Sequence, residues 1–257
     1  MTKRLEGKIA AITGGNEGIG LGIARRFAEE GAAVSFCYLS GKAQADAAQT
    51  SLKAMGVRTF AMQCDLSKVS EGRRFVAETI QELGPIDILV NNAGIEKRAE
   101  FWEVGEADFD AVLNVNLKAV FFVTQAFVKH RMQVKQPGRV INISSVHEEL
   151  PFPHFASYCA SKGGLKMLAR DLSIELAPLG ITVNNIAPGA IETPINRALL
   201  NDPSKLGPLL KNIPLNRLGK PEDVAGVAAF LASPDAAYVT GASFFVDGGL
   251  TWNYTEQ

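Results

Sequence analysis

Ile9-Ala10-Ala11-Ile12-Thr13-Gly14-Gly15-Asn16-Glu17-Gly18-Ile19-Gly20 is the stretch that decides the fold. An apolar, β-prone run enters a glycine-rich turn, and a helical pattern follows over residues 20–30. Glycine admits positive φ and lets a ligand approach the backbone, while a helix start supplies unpaired N–H groups and partial positive charge. Strand, turn and helix together predict a pyrophosphate cradle at the head of a βαβ unit, lined by Gly14, Asn16, Glu17, Gly18, Ile19 and Gly20.

The same alternation continues outward. Apolar runs at 9–13, 33–38, 58–64, 86–90, 139–144, 182–187 and 243–246 predict strands, and helical spacing falls at 20–30, 43–55, 71–83, 113–131, 157–176 and 222–232. Near-continuous apolar strands alternating with helices predict an α/β fold: a doubly wound parallel sheet with helices on both faces, in one domain. No linker or repeat divides the chain. The Pro-, Asn- and Leu-rich section 191–221 departs from the alternation and is expected to overhang the carboxyl ends of the strands as a substrate lid.

Composition excludes several functions. With 26 basic and 27 acidic side chains in 257 residues, the net charge of −1 gives no footprint for nucleic acid or an anionic membrane. No signal peptide is read at the start and no apolar run of about 18 residues is expected to span a bilayer, which points to the cytosol. Cys37, Cys64 and Cys159 are too scattered for a disulfide framework, and no metal-ligand spacing is present.

Tyr158 precedes Lys162 by four residues, so on a helix both point into one space, and a nearby ammonium would favour the phenolate. Taken alone the pair is ordinary helix chemistry. In the same chain, however, Thr13-Gly14-x-x-x-Gly18-x-Gly20, Asn91-Asn92-Ala93-Gly94, Ser145, Tyr158-x-x-x-Lys162 and Pro188-Gly189 occur in order. In these motifs the sequence resembles the short-chain dehydrogenase/reductase family over nearly its whole length. The resemblance implies a Rossmann-like domain with a seven-stranded parallel sheet, usually a homotetramer, binding NAD(H) or NADP(H). It also implies that Tyr158 is the general base or acid, that Lys162 lowers the tyrosine pKa and holds the nicotinamide ribose, that Ser145 anchors the reacting oxygen, and that Asn116 ties a water to the lysine. Further implied cofactor contacts are Asp65 and Leu66 at the adenine, Asn92, Ala93 and Gly94 along the groove, Pro188 and Gly189, and Ile191 and Thr193 at the carboxamide. The competing readings are a capping role for Ser145 and a hydrogen bond inside the helix for Asn116.

Cofactor preference turns on the end of the second strand, where an acid would bind a ribose hydroxyl and a base a phosphate. Tyr38 and Leu39 stand there instead, and Glu17 would repel a phosphate, so NAD is favoured over NADP. The segments Asn91 to Glu96, Ser144 to Glu148 and Pro188 to Asn196 look like those of bacterial glucose 1-dehydrogenases. Glu96, His147 and Asn196 would add polar groups around Ser145 and Tyr158, as a polyhydroxylated sugar requires. The expectation is oxidation of an aldose at its anomeric hydroxyl. Its alternatives are a 3-oxoacyl or other carbonyl reductase, with an apolar lid of Leu199, Leu200, Leu206, Leu209 and Leu210, and a dinucleotide sensor without turnover. The C-terminal Thr251-Trp252-Asn253-Tyr254 is a candidate to close a pocket or a subunit contact.

Overall fold

Apolar residues on both sides of the strands require cover on both sides, and the computed structural model, described for residues 3–194 and 202–253, supplies it. The strands are β1 (Ile9–Thr13), β2 (Ala33–Tyr38), β3 (Thr59–Gln63), β4 (Ile88–Asn91), β5 (Gly138–Ile143), β6 (Ile181–Pro188) and β7 (Ser243–Val246). They form one parallel sheet in the order β3-β2-β1-β4-β5-β6-β7. The order reverses between β1 and β4, which opens a crevice at their carboxyl ends, the place where α/β sheets bind ligands.

Among the described residues eight α-helices surround the sheet: α1 (Gly18–Glu29), α2 (Lys42–Ala54), α3 (Val69–Leu83), α4 (Glu106–Leu113), α5 (Ala119–Val134), α6 (Ala156–Glu175), α7 (Pro203–Lys211) and α8 (Pro221–Ala232). Side chains alternate along each strand and feed two cores. Ala10, Ile12, Val34 and Phe36 meet Phe27 of α1 and Val224 of α8 on one face. Ala11, Cys37, Leu89 and Val183 meet Phe75 of α3 and Phe127 of α5 on the other. Each buried phenylalanine contributes on the order of 1.5–3 kcal/mol, so either layer alone would leave the sheet half exposed.

The predicted strands 9–13, 33–38 and 243–246 match β1, β2 and β7, and the other ends move by one or two residues. One helix differs more. The pattern over 113–131 predicted one element, but the chain becomes helical at Glu106 and passes through a π-turn at Asn114–Lys118 before α5. Residues 106–110, Glu-Ala-Asp-Phe-Asp, carry little apolar periodicity, and only Val112 of α4 is buried. The helical stretch Glu106–Val134 is also long and apolar enough to cross a membrane, against the reading that no run is. Its residues Val120, Val123, Thr124 and Phe127 are buried inside the fold, while Phe109 and Phe121 stay exposed.

Charges at the amino end of the sheet are paired. Glu30, at the end of α1, receives Arg4 at 2.6 Å and Arg26 at 2.9 Å. Hydrogen bonds from Arg4 foremost hold the Glu30 carboxyl down at about 2. Asp87 accepts from the Ile9 amide at 3.0 Å and lies 3.4 Å from the buried Arg131.

Candidate active site

The glycine turn works through its backbone. Gly14 and Gly18 have φ of +66° and +56°, and a Cβ on Gly20 would lie 2.1 Å from the Gly14 carbonyl. Side chains from neighbouring strands brace the turn: Asn92 Nδ2 donates to Thr13 O at 2.9 Å and Gly14 O at 2.8 Å, while the amides of Asn92 and Ala93 donate to Thr13 Oγ1. Asn16 Nδ2 reaches Ser40 O at 3.2 Å and ties the turn to the end of β2. Glu17 caps α1 in extended conformation without a side-chain cap bond, and the first turn of α1 holds no acid. The amides there remain available to an anion, so the residues present fit a dinucleotide pyrophosphate.

The other residues expected to contact the cofactor differ in exposure and engagement. Tyr38 is buried in the core and Leu39 is 60% exposed. Lys42 is held by Asp46 at 2.8 Å. The Asp65 carboxylate is engaged by Ser67, whose amide donates at 3.1 Å and whose hydroxyl donates at 2.7 Å; Leu66 is buried. Pro188 ends β6, and Gly189 lies so close to Asp247 that a Cβ would approach it to 2.8 Å. Thr193 sits over Gly18, with Cγ2 3.4 Å from where a Cβ would be. The side chain of Ile191 turns into the core at 3% exposure, leaving backbone as its contact surface toward a carboxamide.

Ser145 stands two residues past the end of β5, and α6 brings Tyr158 and Lys162 to it. Ser145 Oγ accepts the His147 amide at 3.2 Å, so it caps the short turn Val146–Glu148 and hydrogen-bonds Tyr158 as well. The cap and the reactive role coexist: accepting from the backbone leaves the serine proton free to point at the tyrosine oxygen. Lys162 is 4% exposed, donates to Ile143 O at 2.9 Å, and lies 5.5 Å from the Tyr158 ring centroid.

One expectation needs correction. Lys162 was expected to lower the tyrosine pKa, yet Tyr158 is pushed up to about 12. Burial is the largest cause; the Ser145 hydrogen bond opposes it, and the charges of Glu96 and Cys159 add to it. Burial also pulls Lys162 down to about 8, against the attraction of Glu148. In the protein by itself the lysine faces the ring and a carbonyl, and desolvation of the phenol dominates.

Asn116 is buried in the π-turn. Its Oδ1 accepts from Ile95 N at 2.8 Å, and its Nδ2 donates to Ile95 O at 2.8 Å and Ser161 Oγ at 3.1 Å. These bonds run between elements rather than within a helix. A Cβ on Gly94 would stand 3.4 Å from Asn116 Oδ1 and 3.8 Å from Lys162 Nζ, which places the amide and the ammonium about one glycine.

Of the expected substrate residues, Glu96 is half-buried and coupled to Tyr158, with no hydrogen bond or ion pair among the described residues. Burial raises its pKa. His147 Nδ1 lies 3.2 Å from Leu150 O, and its ring stacks on Phe152 at 4.2 Å, which stacks on Phe155 at 4.1 Å. Burial lowers the His147 pKa; a neutral ring donating from Nδ1 leaves Nε2 as an acceptor. Asn196, Leu199, Leu200 and Tyr254 lie outside the described residues. Cys159 is half-buried, and no metal-holding cluster occurs among the described residues. Sequence reasoning missed Glu148, Asn185 and the Phe152–Phe155 stack. No local signal marked Glu148, whose partner Asn185 comes from another strand.

The predicted lid is pinned at its base by a parallel bridge between Ile191 and Gly219, with Glu192 N donating to Gly219 O at 2.8 Å. Within it α7 ends at Asn212, whose carbonyl accepts from Asn253 Nδ2 at 3.0 Å, and Trp252 packs edge-on against Phe245.

The chain is similar to known proteins over nearly its whole length. A family profile described as Enoyl-(Acyl carrier protein) reductase matches residues 14–251. The chain is 42% identical over 247 residues to 3beta-hydroxysteroid dehydrogenase 1 of Eggerthella lenta, covering 96% of this chain and 95% of that one. It is 40% identical over 253 residues to glucose 1-dehydrogenase 2 of Bacillus subtilis, covering 98% and 97%. A crystal structure of a gluconate 5-dehydrogenase from Burkholderia cenocepacia in complex with NADP and tartrate is similar with a TM-score of 0.92 and 38% identity, covering 98% of each chain.

Proposed function

The chain belongs to the short-chain dehydrogenase/reductase family and is an oxidoreductase, and from that premise we propose that it oxidises the anomeric hydroxyl of a glucose-like aldose to a lactone. The observation that carries the substrate reading is Glu96: a half-buried carboxylate that makes no hydrogen bond or ion pair among the described residues, beside the reacting tyrosine. An unpaired carboxylate there suits hydroxyl donors from a polyol and would be costly against a steroid or acyl chain. His147, with Nε2 as acceptor, supports the same reading, and Asn196 is assigned to this pocket on the sequence pattern alone.

A bound nicotinamide supplies the hydride acceptor. Ser145 donates to the reacting oxygen and fixes its distance from Tyr158. Tyr158 accepts the hydroxyl proton during oxidation and returns it during carbonyl reduction. Lys162, as an ammonium, holds the nicotinamide ribose hydroxyls, and Asn116 continues the proton path at its far side. With the tyrosine at about 12, oxidation gains as rising pH increases the phenolate fraction, whereas the phenol that carbonyl reduction needs is already in place across the neutral range.

The cofactor reading keeps NAD ahead of NADP, on Glu17 at the cradle and on Lys42 already paired with Asp46. The NADP in the gluconate dehydrogenase structure belongs to that protein and makes the preference a direct target. Comparing kcat/KM for the two dinucleotides tests it; a strong NADP preference overturns it. A homotetramer in the cytosol, a lid over 191–221 and a pocket contact from the C-terminus complete the proposal.

The stacked Phe152 and Phe155 favour a second reading, a reductase of 3-oxoacyl or other apolar carbonyls, in which Leu206, Leu209 and Leu210 of α7 would meet the chain. A dinucleotide sensor has no use for an intact Ser145, Tyr158 and Lys162. Following nicotinamide absorbance across aldoses, polyols, hydroxysteroids and acyl carbonyls separates the readings: turnover of aldoses supports the first, turnover confined to apolar substrates the second, and dinucleotide binding without any turnover the sensor.

A further inference from the structure

Behind the lysine runs a polar chain with a direction. Asn91, Asn142 and Asn185 occupy matching register positions on β4, β5 and β6, so their side chains form a rung across three strands. Asn91 Nδ2 donates to Asn142 Oδ1 at 2.8 Å, Asn142 Nδ2 to Asn185 Oδ1 at 3.0 Å, and Asn185 Nδ2 to Glu148 Oε2 at 3.3 Å. All three amides point their donors the same way, and the chain ends on a carboxylate oxygen. Hydrogen bonds in series polarise one another, so such a chain favours negative charge at its donor end.

That end is buried. The asparagines are at most 2% exposed and Glu148 is 8% exposed. Glu148 Oε1 has no hydrogen-bond partner, and among the described residues Glu148 makes no ion pair within 4 Å. A buried anion is costly unless a cation answers it. Lys162, itself buried, stands at the same end of the sheet: its Nζ donates to Ile143 O at 2.9 Å, one residue along β5 from Asn142 of the ladder. No carboxylate is in contact with it among the described residues, so Glu148 is the charge that attracts it. We propose that Glu148, oriented by the Asn91–Asn142–Asn185 ladder, is a positioning residue whose charge keeps Lys162 an ammonium inside the fold. It acts through Lys162 and touches no reacting atom; the proposal rests on the reading that Lys162 holds the dinucleotide.

The surroundings leave no other source for that charge among the described residues. On α6, Tyr158 presents its ring to the ammonium. Glu96, from the loop after β4, and Cys159 are coupled to Tyr158. His147 is engaged with Leu150 O, and Asn116 is neutral. Burial draws Lys162 down to about 8 and Glu148 opposes it, so removing Glu148 makes the ammonium disappear at lower pH.

The test uses the full chain without dinucleotide, labelled with 13C at lysine Cε; the Lys162 resonance is identified by its loss in Lys162→Arg. In Glu148→Gln the titration midpoint should fall by about one pH unit, and the pH at which NADH affinity declines should fall with it. Glu148→Asp should restore most of the shift. Asn142→Leu, which breaks the ladder and leaves Glu148 in place, should move the midpoint the same way by less, and serves if Glu148→Gln does not fold. An unchanged midpoint in the folded variants overturns the proposal, even if turnover falls. A shifted midpoint in a protein that oxidises no aldose leaves this inference standing and removes the sugar reading.

Discussion

The two ends of the sheet both hold buried or half-buried charged groups and use them in opposite ways. At the amino end, Glu30 is clasped by two arginines and Asp87 faces Arg131, and Glu30 is far more acidic folded than unfolded. At the carboxyl end, Lys162, Glu148 and Glu96 make no ion pair among the described residues, and Tyr158, Lys162 and Glu96 all shift toward their neutral forms. Paired charges fasten the loops beneath the sheet. Unpaired ones at the top keep protons exchangeable, at a cost in stability that the two apolar cores must cover.

The strongest way to break that comparison is at Tyr158. Tyr158→Phe should lower turnover by about a thousandfold or more while dinucleotide affinity, measured by nicotinamide fluorescence, stays within a fewfold; retained turnover would remove the tyrosine from the mechanism. Gly20→Ala comes next. Its Cβ must displace the Gly14 carbonyl, so titration should show dinucleotide affinity lost by more than tenfold, with unfolding in urea about 1–3 kcal/mol easier. Unchanged binding would show that the cradle relaxes freely.

Two carboxylates then sharpen the contrast between the ends. Because the Glu30 pKa is depressed by folding, its contribution is complete above the unfolded value and vanishes as pH falls toward about 2. Glu30→Gln should therefore cost about 2–3 kcal/mol at pH 7 and almost nothing at pH 2, read from urea midpoints at the two pH values. Glu96 is the reverse case: folding raises its pKa, so its ionised form opposes folding above the unfolded value and the penalty disappears in acid. Glu96→Gln should raise stability at pH 7 while raising KM for the sugar, and a loss of stability would mean that Glu96 is paired after all.

These contrasts also explain what could be read in advance. β1, its glycine turn and α1 are local features, set by neighbours in sequence, and the motif spelled them out. Ser145, Tyr158 and Lys162 were legible because helical spacing and one strand end bring them together. The direction of the tyrosine shift was not, since it depends on burial and on Glu96, which arrives from another loop. Glu148 and Asn185 lie 37 positions apart and meet only because β5 and β6 are neighbours, so no window of sequence contains the pair. The helix at Glu106 escaped for a related reason: it is held mainly by contacts with the π-turn and α6, and its own residues carry little of that information.

The bridge between Ile191 and Gly219 has a consequence for engineering. By closing the segment at its neck, it makes residues 192–218 a cassette whose ends stay in register whatever lies between. Exchange of this insert would leave the sheet and the positions of Ser145, Tyr158 and Lys162 where they are. Grafting the corresponding insert from a relative should transplant preference without rebuilding the fold beneath it.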